Sequence, residues 1–567
     1  MTTERRGRSW IPIIGWLRSY ERPWLRSDVA AGLAVTALIV PKNLGYAEIA
    51  GVPVQNGLYA AAAGAILYAI FGTSRQISTG PSSALAAVAA SAVLAAGIGE
   101  DDVAGFVAAI TLASGVLFLA LALLRMGWVA RFLSRAVVTG FLFGAAIDVV
   151  IGELPKLTAT DTTGANPLQE LRSWFGTLSE ASLPTVLVGA TALAVIFGLR
   201  VVAPKAPGAL VLVVGGLLAS WLGDLGAHGV PLVGDVPRGL PTLMVPDTQL
   251  VGDHITTVVL AALALVMIGF SQTAGDARTF AARHRYQIDI DQESVAQGMA
   301  NAGAGLFQGM PVTTSLSASS LNDRSGARTG LASLVTGAMV LLTLLILAPL
   351  FAALPTAVLA AVIIEAVMMG MMDVSEMRRL ARVQRFDFLV AMTSLVCTLL
   401  FGVLTGVLIG IGLSLLWLLS VATRPSMPLL ARQPGTQVFR DIDGHPDDEQ
   451  VPGVAVLRLD GGLFFATSDA LEDRFREVML STEGVTGIVL DCEGINFIDS
   501  QGSAKLDEIL QLADAADVTI RLARVKPRML EVLRRDGVLD HLGTTHVHGN
   551  VHRAVEAMVS APPTPTA

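Results

Sequence analysis

Ser78-Thr79-Gly80-Pro81-Ser82-Ser83 stands at the head of an Ala- and Val-rich run that continues to about Ala96. In the second half of the chain, Pro311-Val312-Thr313-Thr314-Ser315-Leu316-Ser317-Ala318-Ser319-Ser320 has the same character. Each reads as a hydroxyl-rich start on an apolar helix, and Pro81 suits a first helical position, where no N–H is needed. Free N–H groups and the positive end of the helix dipole attract anions. Irregular backbone at membrane depth survives only where it lines a cavity. A pair of such interrupted segments, one in each half of a polytopic chain, is the sequence pointer to a transport site near the midplane. The plainer reading is that small hydroxyl residues let helices pack closely; the pairing of the two segments favours a site.

The chain of 567 residues is 53% hydrophobic and 15% charged, against about 25% charge in a soluble domain. That excludes a disordered chain, a coiled coil, a disulfide scaffold and an ordinary soluble enzyme, and points to a polytopic α-helical membrane protein. A spanning helix needs about 20 apolar residues. The charge-free stretches Phe106–Leu124, Ala181–Leu199, Ala206–Gly223 and Ile255–Gly275 each suit one pass. Thr329–Ile364, broken by Pro349 and Pro355, and Phe388–Thr423, interrupted around Gly402 and Gly406, each read as a tight helical hairpin. The count is 12 to 14 passes, with no cleavable signal peptide behind the basic start at Arg5, Arg6 and Arg8. Cys397 and Cys492 imply neither a disulfide framework nor a thiolate metal cluster.

Charge sets the orientation. Arg125, Arg131 and Arg135, then Arg200 and Lys205, then Arg278, Arg283 and Arg285, then Arg324 and Arg328, then Arg378, Arg379, Arg382 and Arg385 mark one set of loops. Lys156, Arg172 and Arg238 mark the other. The positive-inside rule makes the first set cytoplasmic, and an even count of 14 places both termini in the cytoplasm of a cell-membrane protein. Residues 435–567 hold 12 basic and 22 acidic residues, residues 1–434 hold 27 and 25, so an acidic, water-facing tail follows an apolar body. Inside the spans, Lys42, Asp148, Asp276 and Glu365 are costly and therefore candidates for function. Gln272 and Asp276 share a helix face. Lys42 is the candidate fixed charge facing an anion, paired with Asp276 when the site is empty.

At these residues the sequence resembles the sulfate permease (SulP) anion transporters. The resemblance rests on the run from Val40-Pro41-Lys42-Asn43 to Gly51-Val52-Pro53, on Gly57-Leu58-Tyr59, on Phe71-Gly72-Thr73-Ser74 through Pro81, and on Asn301–Gly309, Pro311-Val312-Thr313, Ser315, Ser317, Asn322 and Gly326-Ala327-Arg328-Thr329. It implies 14 segments in a 7+7 inverted repeat, with core and gate domains, elevator-like motion, a homodimer, and an anion site between the starts of segments 3 and 10. Carried over by position, that site takes Lys42, Ser82, Ser83, Gln272, Thr314, Ser315 and Ser317. Two departures matter. Gln272 stands where cation-coupled members often have an acid, leaving Asp276 and then Asp148 as coupling candidates for a proton or sodium. Ala318 stands where animal relatives commonly have Arg, a charge that Lys42 would replace.

The tail alternates strand and helix patterns: Val454–Leu459, a helix capped by Ser468 and running to about Leu480, Gly487–Asp491, a helix opened by Asp499-Ser500-Gln501-Gly502, Val518–Ala523 and a helix over Lys526–Arg535. It resembles the STAS domain, whose Asp-Ser-x-Gly turn makes Ser500 a regulatory phosphorylation candidate beside its plainer role as a helix cap. His541, His546 and His548 lack a companion Cys/His set. The expected division is a cytosolic start (1–27), a transport domain (28–424), a linker (425–434), the STAS domain (435–560) and a disordered tail (561–567). No phosphate loop, zinc motif, catalytic triad or nucleic-acid signature is visible, so neither an enzyme nor a cofactor is expected. The expected function is secondary active transport of a small anion, sulfate first, with bicarbonate or a C4-dicarboxylate open. An uncoupled exchanger or channel, a nucleobase permease and a membrane-bound regulator are the competing classes.

Overall fold

The computed structural model describes residues 11–127, 134–164, 166–204, 206–234, 236–237, 239–481 and 484–560. Arg5, Arg6, Arg8, Arg131, Lys205, Arg238 and the tail from 561 lie outside the described residues. The chain forms two compact units, Met1–Ser414 and Leu415–Ala567.

The first unit is helical. After α1 (Pro12–Arg18) come α2 (Trp24–Ile49), α3 (Val54–Phe71), β1 (Thr79–Pro81), α4 (Ser83–Ala96), α5 (Val103–Leu123), α6 (Arg135–Thr158), α7 (Pro167–Thr177), α8 (Leu183–Val202) and α9 (Gly208–Gly223). A short α10 (Thr248–Asp253) leads to α11 (Ile255–His284), α12 (Ile290–Leu306), β2 (Val312–Thr314), α13 (Leu316–Arg324), α14 (Leu331–Ile346), α15 (Thr356–Met371), α16 (Val374–Val383), α17 (Arg385–Phe401) and α18 (Val403–Ala422). The order from α2 to α9 recurs from α11 to α18: two helices, a three-residue strand leading a helix, two more helices, a short helix, and a final pair. Among the described residues, eight helical stretches are long and apolar enough to cross a membrane, and α4, α9 and α14 are shorter apolar helices. The protein is a multi-pass membrane protein.

Both long apolar stretches break where expected, but only one of them folds back on itself: Gly406 and Gly410 of α18 lie against Thr398 and Ser394 of α17, whereas α14 packs on α2 and α3 and α15 on α6 and α8, so Thr329–Ile364 is not the tight hairpin expected. Pro355 precedes α15, and Gly402, with φ of 86°, separates α17 from α18 in a backbone conformation that suits glycine. Several helices keep apolar side chains outward. Leu183, Leu187, Val201 and Val202 of α8, and Trp221 and Leu222 of α9, are exposed, as lipid-facing residues are. Between helices the residues are small. A Cβ on Gly115 of α5 would lie 2.5 Å from the Ala302 nitrogen of α12, and one on Gly305 would lie 2.7 Å from the Leu112 nitrogen. Without a hydrophobic driving force between helices in lipid, such close backbone approach supplies the packing energy.

The second unit is an α/β fold. A parallel sheet has the order β5 (Val454–Arg458), β6 (Gly487–Asp491), β7 (Thr519–Ala523) and β8 (Val547–His548), and a hairpin pairs β3 (Leu430–Arg432) with β4 (Phe439–Asp441). The helices are α19 (Ser468–Ser481), α20 (Ser500–Ala515), α21 (Pro527–Arg535), α22 (Val538–Leu542) and α23 (Val551–Val559). Leu457, Ile488, Leu490 and Leu522 form the sheet side of a core that Phe475, Leu506 and Leu533 complete. Asp491, fully buried at the end of β6, accepts from Arg458 at 2.7 Å and from Arg524. Two expected caps are displaced. Ser468 lies within α19, its hydroxyl donating to the Phe465 carbonyl, and Asp499 rather than Ser500 caps α20 by accepting from the Gly502 N–H at 2.7 Å. A carboxylate outcompetes a hydroxyl for that N–H, because it carries charge and meets the positive end of the dipole.

Candidate functional site at the paired helix starts

The two hydroxyl-rich segments meet. β1 and β2 pair antiparallel, with Thr79 opposite Thr314, Gly80 opposite Thr313 and Pro81 opposite Val312. The ladder extends by one bond, from the Ser315 N–H to the Ser78 carbonyl at 3.0 Å. Pro81 is thus the last residue of a strand, not the first of a helix. Its missing N–H is tolerated because β1 has only one strand neighbour. Ser82 and Ser315 are the caps: each is extended, and their hydroxyls accept from the Leu85 and Ala318 N–H groups at 3.3 and 3.4 Å. One short ribbon therefore launches two helices. The nearest N–H groups of each start, those of Ser83 and of Leu316 and Ser317, lack an intrahelical partner by construction. α13 is not the apolar helix expected: it runs nine residues to Arg324 and contains Asn322 and Asp323. Leu316 and Ser317 at its start are exposed, and the Ser317 hydroxyl lies 3.2 Å from that of Ser315.

Neighbouring helices hold the ribbon. Asn301 of α12, buried, grips one residue of β2 twice: its amide donates to the Val312 carbonyl at 2.9 Å and its carbonyl accepts the Val312 N–H at 3.0 Å. Gln297, one turn earlier, donates to the Thr79 hydroxyl of β1 at 3.3 Å. Ser319 accepts the Ser78 N–H at 2.9 Å, and Ser333 donates to the Ile77 carbonyl at 3.2 Å. Gly64 of α3 leaves room for the strand, since a Cβ there would stand 3.2 Å from the Thr79 carbonyl oxygen. α11 lies alongside. Thr313 donates to the Gly269 carbonyl at 3.3 Å and Thr314 to the Asp276 carboxylate at 2.8 Å. Gln272, at helical spacing between those two positions, is half-buried on the same stripe.

α2 contributes Lys42 and, one turn later, Tyr46, which is hydrogen-bonded to Ser83 at the start of α4. Lys42 is half-buried and makes no ion pair among the described residues; Glu365 and Arg200 are the charges within its electrostatic reach. The expected Lys42–Asp276 pair is therefore absent: Asp276 is engaged by Thr314, and Glu365 is held by Arg200 at 2.9 Å, joining α15 to α8. Asp148, in α6, makes no hydrogen bond or ion pair among the described residues, and Glu170 of α7 is its charged neighbour. Ser500 is exposed in the second unit. Tyr46 and Asn301 were both within the quoted motifs. Their signal was spacing: Tyr46 shares the Lys42 face at i+4, and Asn301 follows Gln297 at i+4 in a helix otherwise rich in Ala and Gly.

The model of the sulfate permease family matches residues 25–394, and that of the STAS domain matches residues 445–554. A probable sulfate transporter of Mycobacterium tuberculosis is 33% identical over 550 residues, covering 97% of this chain and 98% of that protein. The chloroplastic sulfate transporter 4.1 of Arabidopsis thaliana is 29% identical, covering 96% and 82%. In fold, the murine Solute Carrier 26 family member A9 anion transporter in its inward-facing state superposes with a TM-score of 0.88 at 20% identity, over 99% of this chain and 97% of that one. The transmembrane domain of the cyanobacterial bicarbonate transporter BicA superposes at 0.62 with 23% identity, over 68% and 98%. With its helical membrane unit, its STAS domain and the family pattern running through the paired strands, the chain belongs to the sulfate permease family, a family of transporters and not of enzymes.

Proposed function

We propose that the protein is a secondary active transporter of small oxyanions, sulfate first, in the cell membrane. The observation that carries this reading is the β1–β2 pairing, which brings two capped helix starts from the two halves of the chain to one place. Unpaired N–H groups, the hydroxyls of Ser82, Ser83, Thr314, Ser315 and Ser317, and the amide of Gln272 replace the water around an anion there. Lys42 adds a positive charge that no carboxylate neutralises directly. Alternating access then exposes the site to the other face, by motion of one part of a 7+7 inverted repeat of 14 segments against the rest. The recurring element order from α2 to α9 and α11 to α18 supports that repeat. We place the transport domain at 28–424, a linker at 425–434 and the STAS domain at 435–560. Both termini lie in the cytoplasm, and the assembly is a homodimer.

Uphill uptake of an anion against a negative-inside potential needs a coupled cation. Asp276, tied to Thr314 in β2, is the first candidate for a proton or sodium, and Asp148 the second. Gln272 in place of an acid favours one other reading, an uncoupled exchanger or channel. Purified protein in liposomes separates the two: a panel of labelled sulfate, bicarbonate and C4-dicarboxylates is offered with imposed proton or sodium gradients. Concentrative uptake that follows a gradient supports the symporter, and equal uptake with and without a gradient overturns it. Full accumulation by Asp276→Asn excludes Asp276 as the coupling group.

A further inference from the structure

Away from the ribbon, near the C-terminal ends of α2 and α6, two carboxylates share one lysine. Lys156 Nζ lies 2.6 Å from Glu48 Oε1 and 2.9 Å from Glu153 Oε1. Glu153 is 4% exposed. The second oxygen of each carboxylate, Glu48 Oε2 and Glu153 Oε2, is buried with no hydrogen-bond partner. The charges do not balance: one ammonium faces two carboxylates. A buried ion pair repays its desolvation only when the remaining lone pairs are satisfied, and here two oxygens are left bare. Among the described residues, no neighbouring helix places a second cation in contact with either carboxylate. Glu48 and Lys156 are the charged groups that act most on Glu153, and the two carboxylates those that act most on Lys156. Glu365 of α15 and Arg200 of α8 pair with each other, and Glu170 of α7 faces Asp148.

We propose that Glu48, Lys156 and Glu153 form a proton-binding site at the contact of α2 with α6. One proton taken from solvent forms an O–H bond on a bare carboxylate oxygen, leaving the triad neutral; the proton belongs to the pair rather than to one residue. The occupant is a proton and not a metal ion. The described residues contain no cluster of three or more metal-ligating side chains, and the ammonium already sits between the two inner oxygens. Lys156, about a third exposed at its side chain, gives the site its route to water. Glu48 lies six residues after Lys42 on the same helix, roughly 9 Å along its axis. Protonation therefore changes the ion pair that links α6 to the helix carrying the site lysine. This deepens the transport reading, on which its functional meaning rests, by naming a proton site distinct from Asp276 and Asp148.

The test is pH-difference infrared spectroscopy of the full chain in lipid vesicles, in the region of the protonated carboxyl stretch. A titrating band is expected in the wild type, lost in both Glu48→Gln and Glu153→Gln and kept in Asp276→Asn. Lys156→Met, which leaves two carboxylates without a cation, should take up a second proton and roughly double the band. Thermal unfolding of the same samples controls for folding, and the Gln variants should unfold no lower than the wild type because each leaves one lysine facing one carboxylate. An unchanged spectrum in both Gln variants overturns the proposal, and so does a band that disappears on adding sodium at fixed pH. The band needs no substrate. A titrating triad in a protein that transports no anion would sink the transport reading and leave the proton site, and concentrative uptake with no such band would do the reverse.

Discussion

Asn301→Leu removes the polar groups that fasten β2 while keeping the number of side-chain heavy atoms. Asn301 is 1% exposed, and it satisfies both the N–H and the C=O of Val312. Val312 is itself buried, so no water replaces the lost partners. Leaving a buried backbone group unsatisfied costs about 1–3 kcal/mol, so two such groups cost about 2–6 kcal/mol. The ribbon avoids that cost only by shifting, and a shift carries Thr314 and the Ser315 cap with it. Misplacing a binding group by an ångström costs about 10²-fold in the binding or transport step it serves. Asn301→Asp keeps the size and shape of the side chain: it still accepts the Val312 N–H but sets an oxygen against the Val312 carbonyl. Sulfate uptake into liposomes and thermal unfolding in detergent read both effects. We expect Asn301→Leu to lower the unfolding temperature and raise KM at least tenfold, with Asn301→Asp between it and the wild type. Wild-type KM in a folded Asn301→Leu protein would refute the claim that the ribbon positions the anion site.

Gly115→Ala puts a Cβ 2.5 Å from the Ala302 nitrogen and forces α5 and α12 apart; overpacking of this kind costs about 1–3 kcal/mol, seen as a lower unfolding temperature. Asp491→Asn removes the charge held by Arg458 and Arg524 in the second unit, at a cost of about 3 kcal/mol, read by limited proteolysis of 415–567 within the full chain. Asp507 and Asp514, at 2.7 and 3.0 Å, raise the pKa of His541 above its ordinary value of 6.5. A raised folded-state pKa stabilises fully below 6.5 and is lost as pH climbs through the folded value. His541→Ala should therefore cost about 0.5 kcal/mol at pH 6 and nothing measurable at pH 9, compared by thermal unfolding at the two pH values.

The sequence made the two helix starts legible because Ser, Thr and Pro before an Ala-rich run have a local cause in capping. Their pairing was not legible. β1 and β2 hold three residues each and lie in opposite halves of the chain, so no periodicity announces them. Pro81 misled for the same reason: a proline suits a helix start and a strand with a free edge equally well. The helix breaks at Pro355 and Gly402 were readable, because each residue acts on its own backbone; that α14 and α15 then pack on different helices was not. Charge partners were harder. Lys42 and Asp276 were identified as intramembrane charges, but which groups face them depends on how α2 and α11 are rotated by packing. Lys156 read as a loop charge, whereas it sits inside α6 between two carboxylates. Capping by Asp499 was hidden by its neighbour Ser500, a residue type with the same preference.

The proposed site holds an anion between the starts of α4 and α13, with Lys42 supplying its field. Equilibrium binding of labelled sulfate to purified protein tests this without depending on coupling. Saturable binding to the wild type is expected, weakened about tenfold or more in Lys42→Gln and in Ser83→Val, with unfolding temperatures close to the wild type. Unchanged sulfate affinity in both folded variants would contradict it.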